Sequence, residues 1–349
     1  MDAARFIKGV ARMRIVQFVD KDGKRRVGIA RDAETVDMLV GAQTVYGLAQ
    51  QAIQKRVTLA ALLAQHAIAR RVDYAALADA GRLRHPLDHP DPAHMLLTGT
   101  GLTHLGSADA RDRMHKTQPQ VPTDSVLTDS VLTDSMKMFQ MGLEGGKPAP
   151  GAVGVQPEWF YKGDGRWVVP PYGDLVSPAF ALDGGEESEI VGVYVIGPNG
   201  VPYRVGFALG NEFSDHVMER QNYLYLAHSK LRPCSFGPEL LLGDLPGDIR
   251  GVSRILRDGH ILWEKPFLSG EDNMSHTIAN LEYHHFKYPQ FRQPGDVHVH
   301  FFGTATLSFA DGIWLTDGDV IEIAAPDFGR PLQNRVVASA DDPFTVALL

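Results

Sequence analysis

Three glutamates stand at the start of one apolar strand. The segment reads Glu186-Glu187-Ser188-Glu189 and continues as Ile-Val-Gly-Val-Tyr-Val-Ile. Residues two apart in a strand share a face, so Glu187 and Glu189 should point toward one site. Carboxylates beside a buried strand repel one another and lose hydration, so a positive charge is needed to compensate them.

A predicted hairpin turn brings another acid to the same place. Asn199-Gly200 is a strong hairpin signal, and an apolar run returns from it to Glu212. With these two residues at the centre of the turn, Glu212 lies opposite Glu187, a register that bulges can shift by about two residues. Three carboxylates within about 4 to 6 Å cannot all stay ionised without a cation. Oxygen ligands favour Mg²⁺, with Mn²⁺ or Ca²⁺ as substitutes, whereas a solvated strand end is the competing explanation.

The composition indicates a folded protein that acts on small molecules. Its 349 residues are 44% hydrophobic and carry a formal charge of -8. No Lys/Arg-rich block is present, which argues against nucleic acid or an anionic membrane surface as the partner. The single Cys234 excludes an intramolecular disulfide framework and should be buried. Charges interrupt every apolar run, so we expect neither a signal peptide nor a membrane span, and a cytoplasmic location.

The pattern of apolar residues changes near residue 90. Residues 13–40 alternate short apolar runs with turns, which predicts antiparallel strands. Residues 44–81 space apolar residues three and four apart, which predicts amphipathic helices, and the proline-rich segment 84–94 resembles a linker. The remainder is rich in short strands. We therefore expect an α+β fold with a small N-terminal α/β domain and a mainly β C-terminal domain, residues 1–90 and 91–349.

Two helices and two loops are predicted within the C-terminal part. Residues 214–229 should form one helix with Ser214 as its N-cap, and residues 274–285 a second. Residues 121–137 repeat Thr-Asp-Ser-Val-Leu at a period of five, which fits neither a helix face nor a strand. We interpret that repeat as a surface segment and residues 143–151 as a further loop.

These motifs together resemble the fumarylacetoacetate hydrolase family. Glu187-Ser-Glu189-Ile is similar to its E-x-E-L metal strand, and Asn211-Glu212-Phe213-Ser214 to its N-D-V-S-x-R-D segment. The resemblance covers about residues 95–340. The other matching segments are Trp159–Lys162 to the F-x-K lead-in, Lys230 with Phe236–Pro238 to K-x-F-D…G-P, Phe302–Thr304 to the late G-T motif, and Thr316–Ile323 to L-x-x-G-D-x-V.

The resemblance implies a mixed β-sandwich roll that holds Mg²⁺ through Glu187, Glu189 and Glu212 and binds a 2-oxo acid. Glu212 departs from the Asp that is usual in the family. Lys230 is expected beside the metal as a proton shuttle or anion binder, with a pKa lowered by burial next to a cation. Thr304 is expected to hydrogen-bond the substrate carboxylate.

The resemblance also implies further contacts and a lid near residues 104–150. Lys162, Ser107 and Arg111 are expected to bind substrate. The second acid or base is expected from the lid, as Glu144 or Asp112. Related proteins of this family form dimers, so we expect a homodimer or a higher homo-oligomer.

The absence of one histidine favours a lyase. Family members that cleave carbon-carbon bonds activate water with a histidine-glutamate dyad, and Ser107 stands where that histidine would be, with His104 and His115 as possible replacements. The resemblance therefore implies a Mg²⁺-dependent dehydratase of a 2-keto-3-deoxy sugar acid. Its expected reaction converts 2-keto-3-deoxypentonate to 2,5-dioxopentanoate in pentose-acid catabolism. A hydrolase of an acylpyruvate or another 2,4-diketo acid stays the alternative.

A second class of function rests on histidines. His298 and His300 are two apart on a predicted strand, and His284 and His285 are adjacent. Together they could form a transition-metal site in a cupin-like binding protein. A non-catalytic sugar-acid sensor is the remaining alternative.

Overall fold

A computed structural model describes residues 12–107, 110 and 133–349 of the chain. The strands in these ranges are β1 (Arg14–Val19), β2 (Arg25–Ala30), β3 (Thr35–Leu39), β4 (Ile68–Asp73), β5 (Leu83–Arg84), β6 (Met95–Gly99), β7 (Phe160–Asp164), β8 (Val168–Val169), β9 (Asp174–Ser177), β10 (Ser188–Ile196), β11 (Pro202–Asn211), β12 (Cys234–Phe236), β13 (Leu240–Leu241), β14 (Ile249–Arg257), β15 (His260–Ser269), β16 (Val297–Phe301), β17 (Val320–Ala324) and β18 (Leu332–Ala338). The helices are α1 (Val45–Lys55), α2 (Leu59–Leu63), α3 (Tyr74–Asp79), α4 (Asp134–Gly145), α5 (His216–Gln221), α6 (Leu226–Ser229) and α7 (Ile278–Phe286).

The strands form two mixed sheets. The larger sheet has the order β4-β3-β2-β1-β13-β11-β10-β16-β6-β7, with β5, β8 and β12 paired at its side. The smaller has the order β15-β14-β17-β18-β9. Pairing is mainly antiparallel, with parallel pairs at β16–β6, β12–β8 and β18–β9. Two sheets with few helices match the predicted α+β class.

The N-terminal strands belong to the larger sheet. Strands β1, β2 and β3 pair antiparallel, as predicted, and β1 also pairs with β13 through Arg14 and Leu241. The sheet therefore continues across residue 90. Helix α1 packs its apolar face into the same core, and Thr44 caps it by accepting a hydrogen bond from the Gly47 N–H at 3.1 Å. The domain boundary at residue 90 stays a prediction.

Three local predictions are wrong. The helical pattern predicted over residues 44–81 is interrupted after Leu63, because Ile68–Asp73 pairs with β3 as strand β4. The helix expected over residues 214–229 is divided into α5 and α6, with a 3₁₀ turn at Tyr223–Tyr225 between them. Glu144, expected in a loop, lies in α4.

Hairpin β10–β11 has the predicted register but a different turn. The Gly200 N–H donates to the Gly197 carbonyl at 3.0 Å, and Gly200 has a positive φ of 70°, so the turn is a three-residue loop rather than a two-residue one. A bulge after Val193 leaves Val205 unpaired and restores the register. Ser188 consequently pairs with Asn211, one residue from the acidic end.

Two apolar cores lie on opposite faces of β10. Val191, Val193 and Val195 pack toward α1, whereas Ile190 packs between the two sheets with Phe207. Cys234 is buried in the first core, as predicted. Across the described ranges, none of the helices has the length and apolar content needed to cross a membrane.

Candidate metal centre

Three carboxylates converge at the open end of hairpin β10–β11. Glu187 precedes β10, Glu189 is its second residue and Glu212 follows β11; one oxygen from each lies within 4.8 Å of the others. The Glu212 N–H donates to the Glu187 carbonyl at 3.0 Å, which extends the strand pairing to the acids themselves. The side chains of Glu189 and Glu212 are buried, and that of Glu187 is 12% exposed. The structure thus brings the three predicted ligands together.

Neutral donors hold two of these carboxylates in place. The Ser214 hydroxyl lies 3.0 Å from both oxygens of Glu212, and the Gly303 N–H donates to Glu189 Oε2 at 2.7 Å. Gly303 has a φ of +91°, and a Cβ there would lie 2.5 Å from the Thr103 hydroxyl, so glycine is required for this approach. Glu189 Oε1 is buried without a hydrogen-bond partner among the described residues.

Two lysines compensate the other carboxylates. Lys230, at the C-terminus of α6, donates to Glu187 Oε1 and, at 2.5 Å, to Glu212 Oε2. Lys162, on β7, forms an ion pair with Glu212 Oε1 at 2.5 Å. Lys162 also donates to the carbonyls of Phe213 and Lys230, at 2.5 and 3.0 Å. An ammonium group has three N–H bonds, so these three partners leave Lys162 none for a substrate, contrary to its predicted role, whereas Lys230 has only two such partners among the described residues.

The charge balance is least favourable at Glu189, although burial also raises the pKa of Glu212 against the opposing charges of the two lysines. Burial and the carboxylates of Glu187 and Glu212 raise the pKa of Glu189 well above its usual value. Burial acts in the same direction on Glu187, but Lys230 and His216 outweigh it and lower the pKa of that carboxyl. A divalent cation at the triad would supply charge to the carboxylate that lacks it and a partner for its orphaned oxygen. The donor set therefore fits a hard metal ion.

The pKa of Lys230 is shifted in the direction opposite to the predicted one. Burial lowers its pKa, but the adjacent carboxylates of Glu187 and Glu212 outweigh burial and raise it. The expectation of a lowered pKa was wrong for this arrangement because the amine is paired with two acids. Lys230 is therefore a hydrogen-bond donor and a cation in the cluster.

Glu186, the first acid of the opening segment, lies outside the cluster. It is fully buried, and its carboxylate accepts hydrogen bonds from the Ser308 N–H at 2.8 Å and the Ser308 hydroxyl at 2.6 Å. Its function in the fold is to fix the loop that follows Gly303. The three glutamates thus divide into two cluster members and one structural anchor.

His216 is a member of the site that the sequence did not predict. Its Nε2 lies 3.3 Å from Glu187 Oε1 and its Nδ1 lies 3.5 Å from Asp183 Oδ2. Burial lowers its pKa, but the contacts with Asp183 and Glu187 outweigh burial and raise the pKa to about 10. A Cβ on Gly185 would lie 2.5 Å from His216 Nδ1, so only glycine leaves room for the ring. His216 is thus a charged support for Glu187.

A small cavity of about 30 Å³ opens onto this cluster. Glu158 and Glu219 also line this cavity. The sequence analysis did not predict either acid, because no local pattern marks them. The Tyr223 hydroxyl donates to Glu158 Oε2 at 3.1 Å. The lining residues are Gly101, Leu102, Ser107, Ala110, Glu158, Phe160, Glu187, His216, Glu219, Lys230, Gly303, Thr304 and Leu307.

The remaining predicted substrate and lid residues fall into three groups. Thr304 and Ser107 line the cavity, and the Ser107 hydroxyl donates to the His104 carbonyl at 2.6 Å. Glu144 is exposed on α4, where it accepts a hydrogen bond from Gln140 at 2.9 Å, and it does not line the cavity. Arg111 and Asp112, as well as His115 and residues 121–132 of the repeat, lie outside the described residues.

The candidate water-activating histidine is elsewhere. His104 is buried, contacts the Ser269 hydroxyl at 3.0 Å through Nε2, and does not line the cavity. Burial lowers its pKa to about 3, so it is neutral.

The other histidines do not converge as metal ligands. His285 Nε2 and His298 Nδ1 are 2.9 Å apart and share a hydrogen bond, and His300 Nδ1 contacts the Thr98 hydroxyl at 2.8 Å. His284 Nε2 lies 3.0 Å from the Gly154 carbonyl. Within the described ranges, only Glu187, Glu189 and Glu212 meet the geometry of a metal site. The cupin-like alternative was therefore wrong.

Solved structures share this architecture. A 2-keto-3-deoxyarabinonate dehydratase is 18% identical, with 94% of this chain and 100% of that chain covered and a TM-score of 0.66. This chain has the same fold as these solved structures. A 2-keto-3-deoxy-D-arabinonate dehydratase complexed with magnesium and 2,5-dioxopentanoate is 19% identical, with 94% and 99% covered and a TM-score of 0.66. A 5-carboxymethyl-2-hydroxymuconate delta-isomerase from Mycobacterium smegmatis is 15% identical, with 94% and 100% covered and a TM-score of 0.55.

These matches confirm the predicted family resemblance at the level of the fold. No protein-family profile matches the sequence, and no curated protein sequence matches it. The shared fold includes enzymes that dehydrate and enzymes that isomerise, so the reaction has to be argued from the site itself.

Proposed function

We propose that this chain is a Mg²⁺-dependent lyase that dehydrates a 2-keto-3-deoxy sugar acid, with 2-keto-3-deoxypentonate converted to 2,5-dioxopentanoate. The observation that carries the proposal is the convergence of Glu187, Glu189 and Glu212, with one oxygen of Glu189 orphaned among the described residues, beside a cavity that Glu187 and Lys230 line. The likeness to a dehydratase complexed with magnesium and 2,5-dioxopentanoate supports this choice of substrate.

The three glutamates would hold Mg²⁺, and a 2-oxo acid offers its carboxylate and its C2 carbonyl oxygen to such an ion. When bound, the metal supplies polarisation of the C2 carbonyl, which acidifies the C3 protons. The Thr304 hydroxyl accepts from the Thr306 N–H at 3.2 Å, which leaves its own O–H for the substrate carboxylate. Thr304 thus orients the acid end of the substrate.

Glu158 is the candidate for the acid-base group expected from the lid. It is buried, lines the cavity and has its carboxylate oriented by the Tyr223 hydroxyl. Glu158 takes a proton from C3 as that C–H bond breaks. The third N–H of Lys230 is available to the oxygen at C4, whose bond to carbon breaks as the hydroxyl leaves as water. A proton shift from C5 to C3 and ketonisation then give the C5 aldehyde, with net loss of one water.

The same geometry disfavours the hydrolase. Ser107 occupies the place of the family histidine, and its O–H is already donated to a backbone carbonyl. Both ring nitrogens of His216 face carboxylates, which leaves neither to accept a proton from water. A carbon-carbon hydrolase requires such a base.

The deciding experiment compares substrates. Purified protein with Mg²⁺ is incubated with 2-keto-3-deoxypentonate and, separately, with acylpyruvates, and the products are followed by proton NMR. We expect 2,5-dioxopentanoate from the sugar acid, no pyruvate from the acylpyruvates, and loss of activity with a chelator that Mg²⁺ restores. Pyruvate release without dehydration would establish the hydrolase instead.

A further inference from the structure

A second, larger cavity adjoins the metal centre. Its volume is about 380 Å³, against about 30 Å³ for the inner cavity. A volume of about 30 Å³ holds roughly two water-sized groups, so it leaves little enclosed space for a whole sugar acid. Any substrate anchored at the triad by its C1 and C2 oxygens must therefore place its distal carbons elsewhere. The adjoining cavity is the space available to them in this conformation.

One residue belongs to both cavities. Glu158 lines the inner and the outer cavity, and the residues that follow it separate, with Trp159 on the outer cavity and Phe160 on the inner one. Neighbouring residues of an extended segment point to opposite sides, which explains this division. Glu158 thus lies between the inner cavity and the outer cavity.

The outer cavity combines aromatic rings with polar side chains. Trp159, Tyr223, Tyr288 and Phe291 contribute rings, and Gln156 and Gln290 contribute amide groups. Ring faces pack against the C–H groups of a carbohydrate chain, and amides exchange hydrogen bonds with its hydroxyls. An unsubstituted hydrocarbon chain would make no hydrogen bonds with these amides.

A buried chain of hydrogen bonds fixes the aromatic wall. The indole N–H of Trp159 donates to His285 Nδ1 at 3.3 Å. The proton of His285 is therefore on Nε2, which lies 2.9 Å from His298 Nδ1 and donates to it. The rings of Trp159 and Phe291 are 5.6 Å apart, and His285 stacks on Phe291 at 5.0 Å. His285 on α7 and His298 on β16 thus support a preformed ring surface, which lowers the entropic cost of binding.

We propose that the outer cavity is a distal subsite that binds the hydroxylated carbon chain of a 2-oxo acid extending beyond C4. This inference rests on the proposed function, because it assumes that the acid end chelates a metal at the triad. It adds a substrate class: 2-oxo acids with a polyhydroxylated tail, with six-carbon acids bound more tightly than shorter ones.

The test measures binding of unreactive acids, which separates this proposal from turnover. Calorimetry with Mg²⁺ gives dissociation constants for 2-oxobutyrate, 2-oxohexanoate and 5,6-dihydroxy-2-oxohexanoate, none of which has a hydroxyl at C4 to expel. We expect the dihydroxy acid to bind about tenfold more tightly than 2-oxobutyrate, with 2-oxohexanoate between them. Equal affinities, or tightest binding of 2-oxohexanoate, would overturn the subsite. Failure of 2-oxobutyrate to bind would refute the metal chelation.

Matched variants locate the effect. Tyr288→Ala and Gln290→Ala remove outer-cavity groups, whereas Tyr283→Ala removes a tyrosine of similar exposure, 47% against 41%, that does not line the cavity. The two cavity variants should each weaken the dihydroxy acid by about threefold to tenfold and leave 2-oxobutyrate unchanged. An equal loss in Tyr283→Ala, or an equal loss for both acids, would contradict the proposal.

Discussion

Glu189→Gln should abolish the response to Mg²⁺ without destabilising the metal-free protein. The change removes one negative charge and keeps the shape of the side chain and an oxygen that accepts from the Gly303 N–H. Glu189 is the carboxylate of the triad that lacks a lysine partner in the structure, and Glu187 and Glu212 repel it. Its raised pKa means that the metal-free protein already disfavours an ionised Glu189, so a neutral amide there should leave the metal-free variant unfolding at a temperature no lower than the wild type.

The size of the Mg²⁺ effect follows from mass action. A ligand at about 100 times its dissociation constant stabilises the folded state by about 2.7 kcal/mol. In a chain of this size, 1 kcal/mol raises the unfolding temperature by about 1.4 °C, so the wild type should gain about 4 °C with saturating Mg²⁺. The variant should gain less than about 1 °C. Differential scanning fluorimetry with and without Mg²⁺, at equal ionic strength, measures both values.

The neighbouring Glu186 provides a matched control. It is equally buried, but its carboxylate bonds to Ser308 instead of facing the triad. Glu186→Gln weakens those hydrogen bonds and should cost about 1 to 3 kcal/mol without Mg²⁺, while the Mg²⁺ increment stays at about 4 °C. A full Mg²⁺ increment in Glu189→Gln, or a metal-free loss as large as that of Glu186→Gln, would refute the assignment of Glu189 as the uncompensated ligand.

Further outcomes follow from the same geometry. Glu158→Gln should lower kcat by about 10²- to 10⁴-fold and leave the Mg²⁺ increment unchanged, since it is proposed to move a proton and not to hold the metal. Lys230→Gln should also lose turnover but bind Mg²⁺ more tightly in calorimetry, because Glu187 and Glu212 lose their ammonium partner. Burial raises the pKa of Glu239 to about 7 although Arg14 opposes it, so its contribution to stability is present below pH 4.5 and is lost as pH rises through 7. The free energy of unfolding, measured with urea, should fall between pH 4.5 and 8. That fall should be about 3 kcal/mol smaller in Glu239→Gln than in the wild type.

The hairpin shows how a register can be predicted through a turn of a different type. Asn199-Gly200 signalled a two-residue turn, but Gly200 alone takes the positive φ, and the loop has three residues. That difference displaces the pairing by one residue near the turn, and the bulge at Val205 displaces it back. Packing on both faces of β10 favours this outcome, because a one-residue slip would exchange the side chains that face the two cores. Burial thus determined the register more strongly than the turn chemistry.

One predicted helix cap is absent because the side chain contacts the carboxylate cluster instead. Ser214 has the residue type of an N-cap, but its hydroxyl contacts Glu212, and Asp215 caps α5 by accepting from the Met218 N–H at 2.9 Å. His216 could not be anticipated as a support for Glu187, because its contact depends on the packing of α5 against β10. Glu158 likewise could not be anticipated, because it precedes β7 and its position depends on where that strand lies in the larger sheet. Strand parity predicted which acids share a face but not which residues from other elements face them.

The arrangement of positive charge explains why the triad keeps a place for a cation. Lys162 and Lys230 reach Glu212 from different elements, and Lys230 also reaches Glu187, so two of the acids are compensated by side chains. Glu189 receives a backbone N–H on one oxygen and, among the described residues, nothing on the other. If the cluster served only the stability of the fold, an apolar residue at 189 would avoid the cost of burying that charge. An acid held there, with one oxygen that has no partner among the described residues, is explained by a bound cation.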